Sequence, residues 1–599
     1  MKRLTNWFVF GLAAVAFLAP LKFGTPTMIQ AGITPPSNGP EWLYFVWPNE
    51  LAIILIFAGF IWLVLDRERM LARVDLLFVL PLLFLLSQAL AVPGTICRQT
   101  TMDTLMLFEA CVLLFYVGAW YARDGAATMH IFGGLALAML FVCLLAMQQH
   151  FGGLQETREF AASHMDTAKA PKDLLLRMTS NRVFGPFVYP NALAGFLVVA
   201  FAPTLAWIWV RARNWDARVK WLALVFAGAE MVFCLLLTGS RGGIVAFGVM
   251  ALTVLWCLVP KSGRRMARAM AVLVLALAAM IALGRHGGFL HLGTASLEAR
   301  TDYWRGAIRI IEDHPWVGTG PGTFGSIYPM YKTALTEEAQ AVHNTFLQMW
   351  SDSGVLAFVA FAVLWIVAVR DAFRLARQRA GDAAAAAVCG ALAGWTIHGL
   401  MDFDLYAPGV ALPAFVLLGT VQGLKELPRT DSVPPRRRAN WFVAAICVAV
   451  VAAVLWIESR ALGAAMIRNA ARMRAKTNPS RALDDAKQAA IMAPWNPLFQ
   501  TSLGEVALQA GKPEEAMAAY RRAIEDDPYR AAFWWQLARV KTATHGVDAE
   551  VLQLLNKAVE LNPTNPRYRQ ALAAAKESVR QSPSSLLQSD PAKEAGSSN

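Results

Sequence analysis

An all-α membrane fold followed by a soluble helical repeat domain is what the sequence predicts, on three observations. Of its 599 residues 56% are hydrophobic and only 16% are charged, where a soluble globular chain carries about 25% charge. Apolar runs long enough to cross about 30 Å of hydrocarbon recur from residue 7 to about residue 460. Beyond them the chain turns polar and Ala-rich and repeats itself with a period of 34 residues. The charge deficit excludes both a solvated cytosolic enzyme and a disordered chain. Seven cysteines, mostly inside apolar runs, supply neither a disulfide framework nor metal-ligand spacing.

About thirteen spans are expected, near 7–22, 50–65, 76–93, 104–121, 130–149, 191–210, 221–238, 243–259, 267–284, 344–369, 384–400, 407–424 and 440–458. The start, MKRLTNWFVFGLAAVAFLAP, has the basic-then-apolar form of a signal peptide. No clean small-residue cleavage site follows it, so it is expected to stay as the first helix. The net charge of +13 is distributed by topology. One set of alternate connections holds Arg67, Arg69, Arg73, Arg211, Arg213, Lys220, Arg264, Arg374 and Arg436, among others. The short connections of the other set hold only Arg98 and Arg241. The positive-inside rule therefore places the N-terminus in the cytoplasm. The basic balance is a membrane signal and not a nucleic-acid footprint.

Two long connections, near 150–190 and 285–342, then fall on the outer side, where loops of this length usually carry function. An odd span count also puts the chain after about residue 460 outside. The expected organisation is a transmembrane core over 1–425, a basic loop and final span over 426–464, a repeat domain over 465–580 and a disordered tail over 581–599. The repeat is read from particular positions. Pro494, Pro528 and Pro563 lie 34 and 35 residues apart, and Leu503 and Leu537 lie 34 apart. Leu503, Gly504, Gly511, Ala516, Tyr520, Ala523 and Pro528 fit the tetratricopeptide pattern, in which small residues let paired helices pack closely.

Polar residues on the outer loops are costly beside a membrane unless paired or used. Arg241, in LLLTGSRGGIVAF, is either a snorkelling arginine or a two-point ligand for a bulky anion. Arg300, Arg305 and Arg309 lie in one helical-looking stretch, with Arg305 and Arg309 sharing a face. The run GTGPGTFG lacks the strand, helix and GK[ST] of a nucleotide loop. His343 sits where the second loop re-enters the membrane. It is either a satisfied interfacial residue or a base for a hydroxyl, since an imidazole ordinarily titrates near neutrality. Asp402 and Asp404, in HGLMDFDLYAP, are expected to pair with the arginines or to orient an acceptor. His291, His314 and His343 show no metal spacing. One histidine among several arginines suits transfer from an anionic, membrane-delivered donor to a hydroxyl.

Four stretches give this pattern a relative: RVFGPFVYPNALAGFL at 182–197, TGSRGG at 238–243, RTDYWRGAIRIIEDHPWVGTGPGTF at 300–324 and HNTFLQMWSDSG at 343–354. In their order and topology, over roughly residues 1–425, the chain resembles the O-antigen ligase/polymerase superfamily of bacterial envelope proteins. The resemblance implies a multi-pass inner-membrane glycosyltransferase using an undecaprenyl-diphosphate-linked glycan in the periplasm, without nucleotide sugar or cofactor. By position, Arg241 and Arg300 would bind the donor diphosphate, and His343 would help the acceptor hydroxyl attack the anomeric carbon. Arg182, Arg305 and Asp402 are further candidates. The acceptor implied is lipid A-core, another lipid-linked glycan (a polymerase) or a protein (a protein O-oligosaccharyltransferase). A periplasmic repeat domain suits a protein partner. Outside this class, a lipid-linked glycan transporter or a non-catalytic scaffold competes, and a transporter predicts paired internal repeats and discontinuous helices near the bilayer midplane.

Overall fold

The computed structural model describes residues 2–28, 36, 38–65, 75–123, 125–156, 158–159, 180–259, 291–333, 338–425 and 441–581. They form α1 Lys2–Lys22, α2 Gly39–Tyr44, α3 Asn49–Leu65, α4 Leu76–Ala91, α5 Arg98–Tyr121, α6 Gly125–Gln148, α7 Pro190–Arg211, α8 Ala217–Leu237, α9 Arg241–Leu258 and α10 His291–Asp313. There follow α11 Phe324–Ile327, α12 Thr345–Gln378, α13 Ala383–Gly399, α14 Pro408–Lys425 and α15 Trp441–Arg474. The chain ends in α16 Pro479–Met492, α17 Pro497–Gln509, α18 Pro513–Asp526, α19 Ala531–His545, α20 Ala549–Leu561 and α21 Pro566–Gln581. Among the described residues nine helices are long and apolar enough to cross a membrane, with three shorter apolar helices beside them. Twelve of the thirteen expected spans coincide with these helices. The expected span at 267–284 and the tail at 582–599 lie outside the described residues, as does most of the first long loop. The protein is a multi-pass, all-helical membrane chain.

Two compact units divide it. The first comprises Met1–Thr95, Thr100–Phe324 and Ala339–Leu462. Its centre is α14, whose side chains are buried almost throughout, packed with α13, α12, α7 and α1. Trp365 and Trp395 meet there with ring centroids 4.1 Å apart. The peripheral α8 exposes Trp221, Leu222, Val225 and Phe226, as a lipid-facing helix should. At one end of the bundle Lys425 Nζ is 2.6 Å from Asp75 and 2.7 Å from Asp371, tying α14 to the start of α4 and to α12.

The expected span at 344–369 is interrupted. Gly354 adopts φ 80° inside α12, a conformation a side chain would strain, and a kink results. The break frees the Asp352 carbonyl to accept from Gly320 N at 2.7 Å and Val355 N to donate to the Pro315 carbonyl. The Asp352 side chain is fully buried and accepts four hydrogen bonds. They come from Gly322 N and Phe324 N at 3.0 Å each, Tyr406 Oη at 3.2 Å and Gln348 Nε2 at 3.3 Å. The run GTGPGTFG is thus a cradle of backbone donors, as its glycines allow, and its occupant is the chain's own Asp352 carboxyl.

The second unit comprises Ile96–Gln99, Gly325–Glu338 and Gly463–Asn599. Its core joins Ala482, Ala486, Ala516, Tyr520, Leu537 and Val551. A side chain at Gly504 would begin 2.8 Å from the Tyr520 ring, which is why the pattern's glycine faces its tyrosine. Asn478 and Asn496 cap α16 and α17, each followed by a proline at the first helical position. Residues 325–333 and Glu338 pack in this unit, with Met330 against the cluster of Ala531, Ala558, Leu561 and Tyr568, and Glu338 accepting from Asn562 Nδ2 at 2.6 Å. The last span and the first repeat helix, expected as separate elements, are one helix, α15. No proline interrupts ESRALGAAMIRNAARMR, so nothing stops propagation.

Removing the Asp352 carboxylate leaves buried donors unpaired at about 1–3 kcal/mol each. Asp352→Ala is expected to lower the unfolding temperature of the detergent-solubilised protein clearly, and Asp352→Asn, which keeps one acceptor oxygen, by less. Equal stability of Asp352→Ala and wild type in a thermal-unfolding scan would refute this role.

Candidate functional site

The site is assembled where the second long loop meets the bundle. The first element is α10, which is amphipathic. Asp302, Tyr303, Ala307 and Ile310 are buried, whereas Arg305 and Arg309 are exposed. Arg300, one helical turn before Tyr303, lies at the edge of the inward face. Its side chain is 18% exposed, and its guanidinium lies 3.7 Å from Asp402 Oδ2. Asp402 itself is 4% exposed and projects from the turn between α13 and α14.

His343 comes next, and its backbone is unusual. Its φ of 55° makes it the one non-glycine residue in the left-handed region among those described, a conformation that costs roughly 1–3 kcal/mol and clusters at functional sites. The following residue explains how it is held. Asn344 caps α12, its side chain accepting from Leu347 N at 3.0 Å. Val342 N donates to Gln348 Oε1 at 3.1 Å, which fixes the other flank. The ring stacks on Tyr303 at 5.8 Å and meets the edge of Phe403 at 4.8 Å. Nδ1 lies 3.3 Å from Asp402 Oδ1. The backbone of Asp402 is in turn anchored by Thr345, whose N and Oγ1 both donate to its carbonyl at 3.0 and 2.8 Å.

Arg182 closes the group from another side. Its Nε donates to the Thr238 carbonyl at 2.6 Å and its Nη2 to Asn191 Oδ1 at 2.7 Å. It thereby joins the 182–189 loop to the TGSRGG turn. Gln149 braces the same loop, its Oε1 accepting from Phe184 N and Gly185 N at 3.0 and 2.8 Å. In the turn, Ser240 caps α9 by accepting from Gly243 N at 3.1 Å, so Arg241 occupies the first helical position. Gly239 faces the Arg182 side chain and Gly242 faces Met401.

The electrostatics follow from this geometry. Burial alone would raise the Asp402 carboxyl, but His343 and Arg300 more than offset it and hold the group well below the usual carboxylate range. Burial and then the nearby Arg300 guanidinium lower the Arg182 pKa, while Asp402 raises it. Two guanidiniums, one carboxylate and one imidazole therefore share a field. Burial, an ionised acid and a base beside it can accept a proton and stabilise an anion. Among the described residues no group of three or more His, Cys, Asp or Glu side chains is arranged to hold a metal.

Of the residues expected from sequence, Arg300, His343 and Asp402 are brought together, with Arg182 beside them. Arg241 starts the adjacent helix, its neighbouring glycines packed against Arg182 and Met401. Arg305 is placed on the exposed face of α10, away from this group, because a helix turns it off the stripe that carries Arg300 and Tyr303. Sequence reasoning did not find Asp352, Gln149 or His398. An acid inside an apolar span was the available signal for Asp352.

Residues 226–362 match the O-antigen ligase family, a stretch that includes the TGSRGG turn, Arg300 and His343. Residues 474–531 and 507–575 match two tetratricopeptide repeat families. Among curated proteins none matches the chain significantly. The chain therefore carries an O-antigen ligase domain in its membrane unit and tetratricopeptide repeats at its C-terminal end.

Proposed function

We propose that the protein is a glycosyltransferase that moves a glycan from a polyprenyl diphosphate to an acceptor hydroxyl at the periplasmic face of a bacterial inner membrane. The observation that carries this reading is the His343–Asp402–Arg300 group, with His343 held in a left-handed conformation between two aromatic rings. With Nδ1 lying 3.3 Å from Asp402 Oδ1, Nε2 is the nitrogen left to take the proton of the acceptor hydroxyl. The hydroxyl oxygen forms a bond to the anomeric carbon as the bond from that carbon to the phosphate oxygen breaks, with inversion. The electron pair leaves with the polyprenyl diphosphate, whose charge grows in the transition state. Arg300, with Arg182 near it and Arg241 at the start of the helix after the turn that Arg182 holds, stabilises that charge. Asp402, already ionised, balances the imidazolium that forms. No nucleotide sugar, metal or other cofactor takes part.

Lipid A-core is the favoured acceptor, as in O-antigen ligation. The repeats favour a second reading, in which a protein is held and glycosylated. Both readings rest on the same chemistry. Transport of a lipid-linked glycan fits less well, since the charged group lies where loops meet the bundle and not along a path through it.

In a deletion strain, long glycan stranded on polyprenyl diphosphate beside a bare acceptor is the expected phenotype, and glycan staining of the protein fraction tells a protein acceptor from a lipid one. Single repeat units on the acceptor would instead indicate a polymerase. Complementation with His343→Ala at normal protein level is expected to lower transfer by about 10²–10⁴-fold, and full restoration would overturn the enzyme reading. Arg300→Lys keeps the charge but loses the two-point fork. It is expected to slow transfer by about tenfold or more, and wild-type rates in an initial-rate assay would exclude Arg300 from the leaving-group site. Asp402→Asn removes the carboxylate that sets the ring and is expected to reduce kcat by a similar factor, measured in the same assay.

A further inference from the structure

Beside the site lies a second histidine–aspartate pair that the proposed reaction does not use. His398, in the last turn of α13, and Asp404, in the turn before α14, are 1% and 2% exposed, with Nδ1 and Oδ2 2.7 Å apart. Neither reaches a surface from which a substrate approaches, so neither acts as an acid or base on one. Replacing such a buried pair by apolar side chains of equal volume is often neutral or stabilising. Its presence is therefore better explained by the geometry it enforces than by folding energy.

That geometry is particular. The His398 carbonyl accepts from Met401 N at 2.8 Å, while its ring holds Asp404 three residues further on. His398 thus closes the turn twice, and the two residues enclosed, Asp402 and Phe403, are those that touch His343. Phe403 also meets Tyr189 at 5.7 Å, so the ring that packs against His343 is itself held by another neighbour. The opposite wall is equally exacting. A side chain at Gly195 of α7 would begin 2.7 Å from Asp404 Oδ1 and 3.1 Å from His398 Nδ1.

We propose that His398 is a positioning residue for glycosyl transfer: through Asp404 it fixes the turn carrying Asp402 and Phe403, and thereby the plane of the His343 ring. This rests on the function proposed above. Asp402 responds to both neighbours, yet only its partner His343 meets the reacting hydroxyl. A misplacement of about 1 Å at a reacting group lowers a rate by about 10²-fold without a matching loss of binding.

The test uses full-length protein in liposomes, with the polyprenyl-diphosphate glycan and the bare acceptor both extracted from the deletion strain. Wild type must transfer glycan and His343→Ala must not; if either control fails, the glycosyltransferase reading itself falls. With both controls met, His398→Gln is expected to lower kcat at least about tenfold while the donor KM stays within about twofold of wild type. Wild-type kcat in His398→Gln would overturn the positioning role, as would a donor KM that rises as much as kcat falls. Size-exclusion chromatography reports whether the variant is folded. Should it not be, Gly195→Ala, which leaves both members of the pair in place and presses on Asp404, is expected to show the same kcat loss at unchanged KM, and unchanged kcat there would equally overturn the proposal.

Discussion

A carboxylate sealed away from water must receive its hydrogen bonds from whatever surrounds it, and Asp352 receives four. The donors come from the glycine run after α10, from α12 itself and from Tyr406 in the turn before α14. Those segments are remote in sequence, and the penalty for leaving any one unpaired in a bundle without water is large. His343 immediately precedes α12, Asp402 lies in the same turn as Tyr406, and the glycine run follows the helix that carries Arg300. The site's geometry thus rests on a buried carboxyl whose partners Gln348 and Tyr406 lie close along the chain to His343 and Asp402. The kink at Gly354 belongs to this arrangement, because only a broken helix offers its own carbonyl to Gly320.

Charge is handled differently at different places in the membrane unit. Lys425 is held by Asp75 and Asp371 at 2.6 and 2.7 Å, as a structural cross-tie between helices should be. At the site the contacts are longer: 3.7 Å from Arg300 to Asp402 and 3.3 Å from His343 to Asp402. One carboxylate there faces two guanidiniums and an imidazole, so positive charge is in local excess. Desolvation makes that excess expensive for the folded protein, and a diphosphate is the kind of ligand whose arrival relieves it. The contrast separates a latch from the group to which the proposed reaction assigns the diphosphate.

Most of this was legible in the sequence. Runs of apolar residues gave the helices, and the 34-residue period gave the repeats, because both are periodic and local. The face of α10 was legible in principle, since Tyr303, Ala307 and Ile310 form a stripe that includes Arg300 and excludes Arg305. What escaped was non-local. The partners of Asp352 lie about 30 and 54 residues away along the chain, and nothing in SDSG states that its glycine breaks a helix. The His398–Asp404 pair is close in sequence, but its burial against Gly195 depends on how α7 packs. The continuity of α15 escapes for the opposite reason: composition changes along it, yet nothing in it stops a helix, since its interior Gly463 only weakens the turn and no proline follows.

His343 brings these strands together. A left-handed histidine persists only where its surroundings over-determine it, and here they do. Gln348 holds the residue before it, Asn344 starts a helix after it, and Tyr303 and Phe403 confine its ring. A ring confined in this way has lost its rotational freedom before any substrate arrives. In the proposed reaction both substrates are bulky and at least one is tethered to the membrane, so each encounter is already demanding in orientation. A base that still had to be oriented would add its own entropy to that barrier. Backbone strain at residue 343 is therefore best understood as ordering completed during folding, supported from beneath by Asp352 and from the side by the turn that carries Asp402.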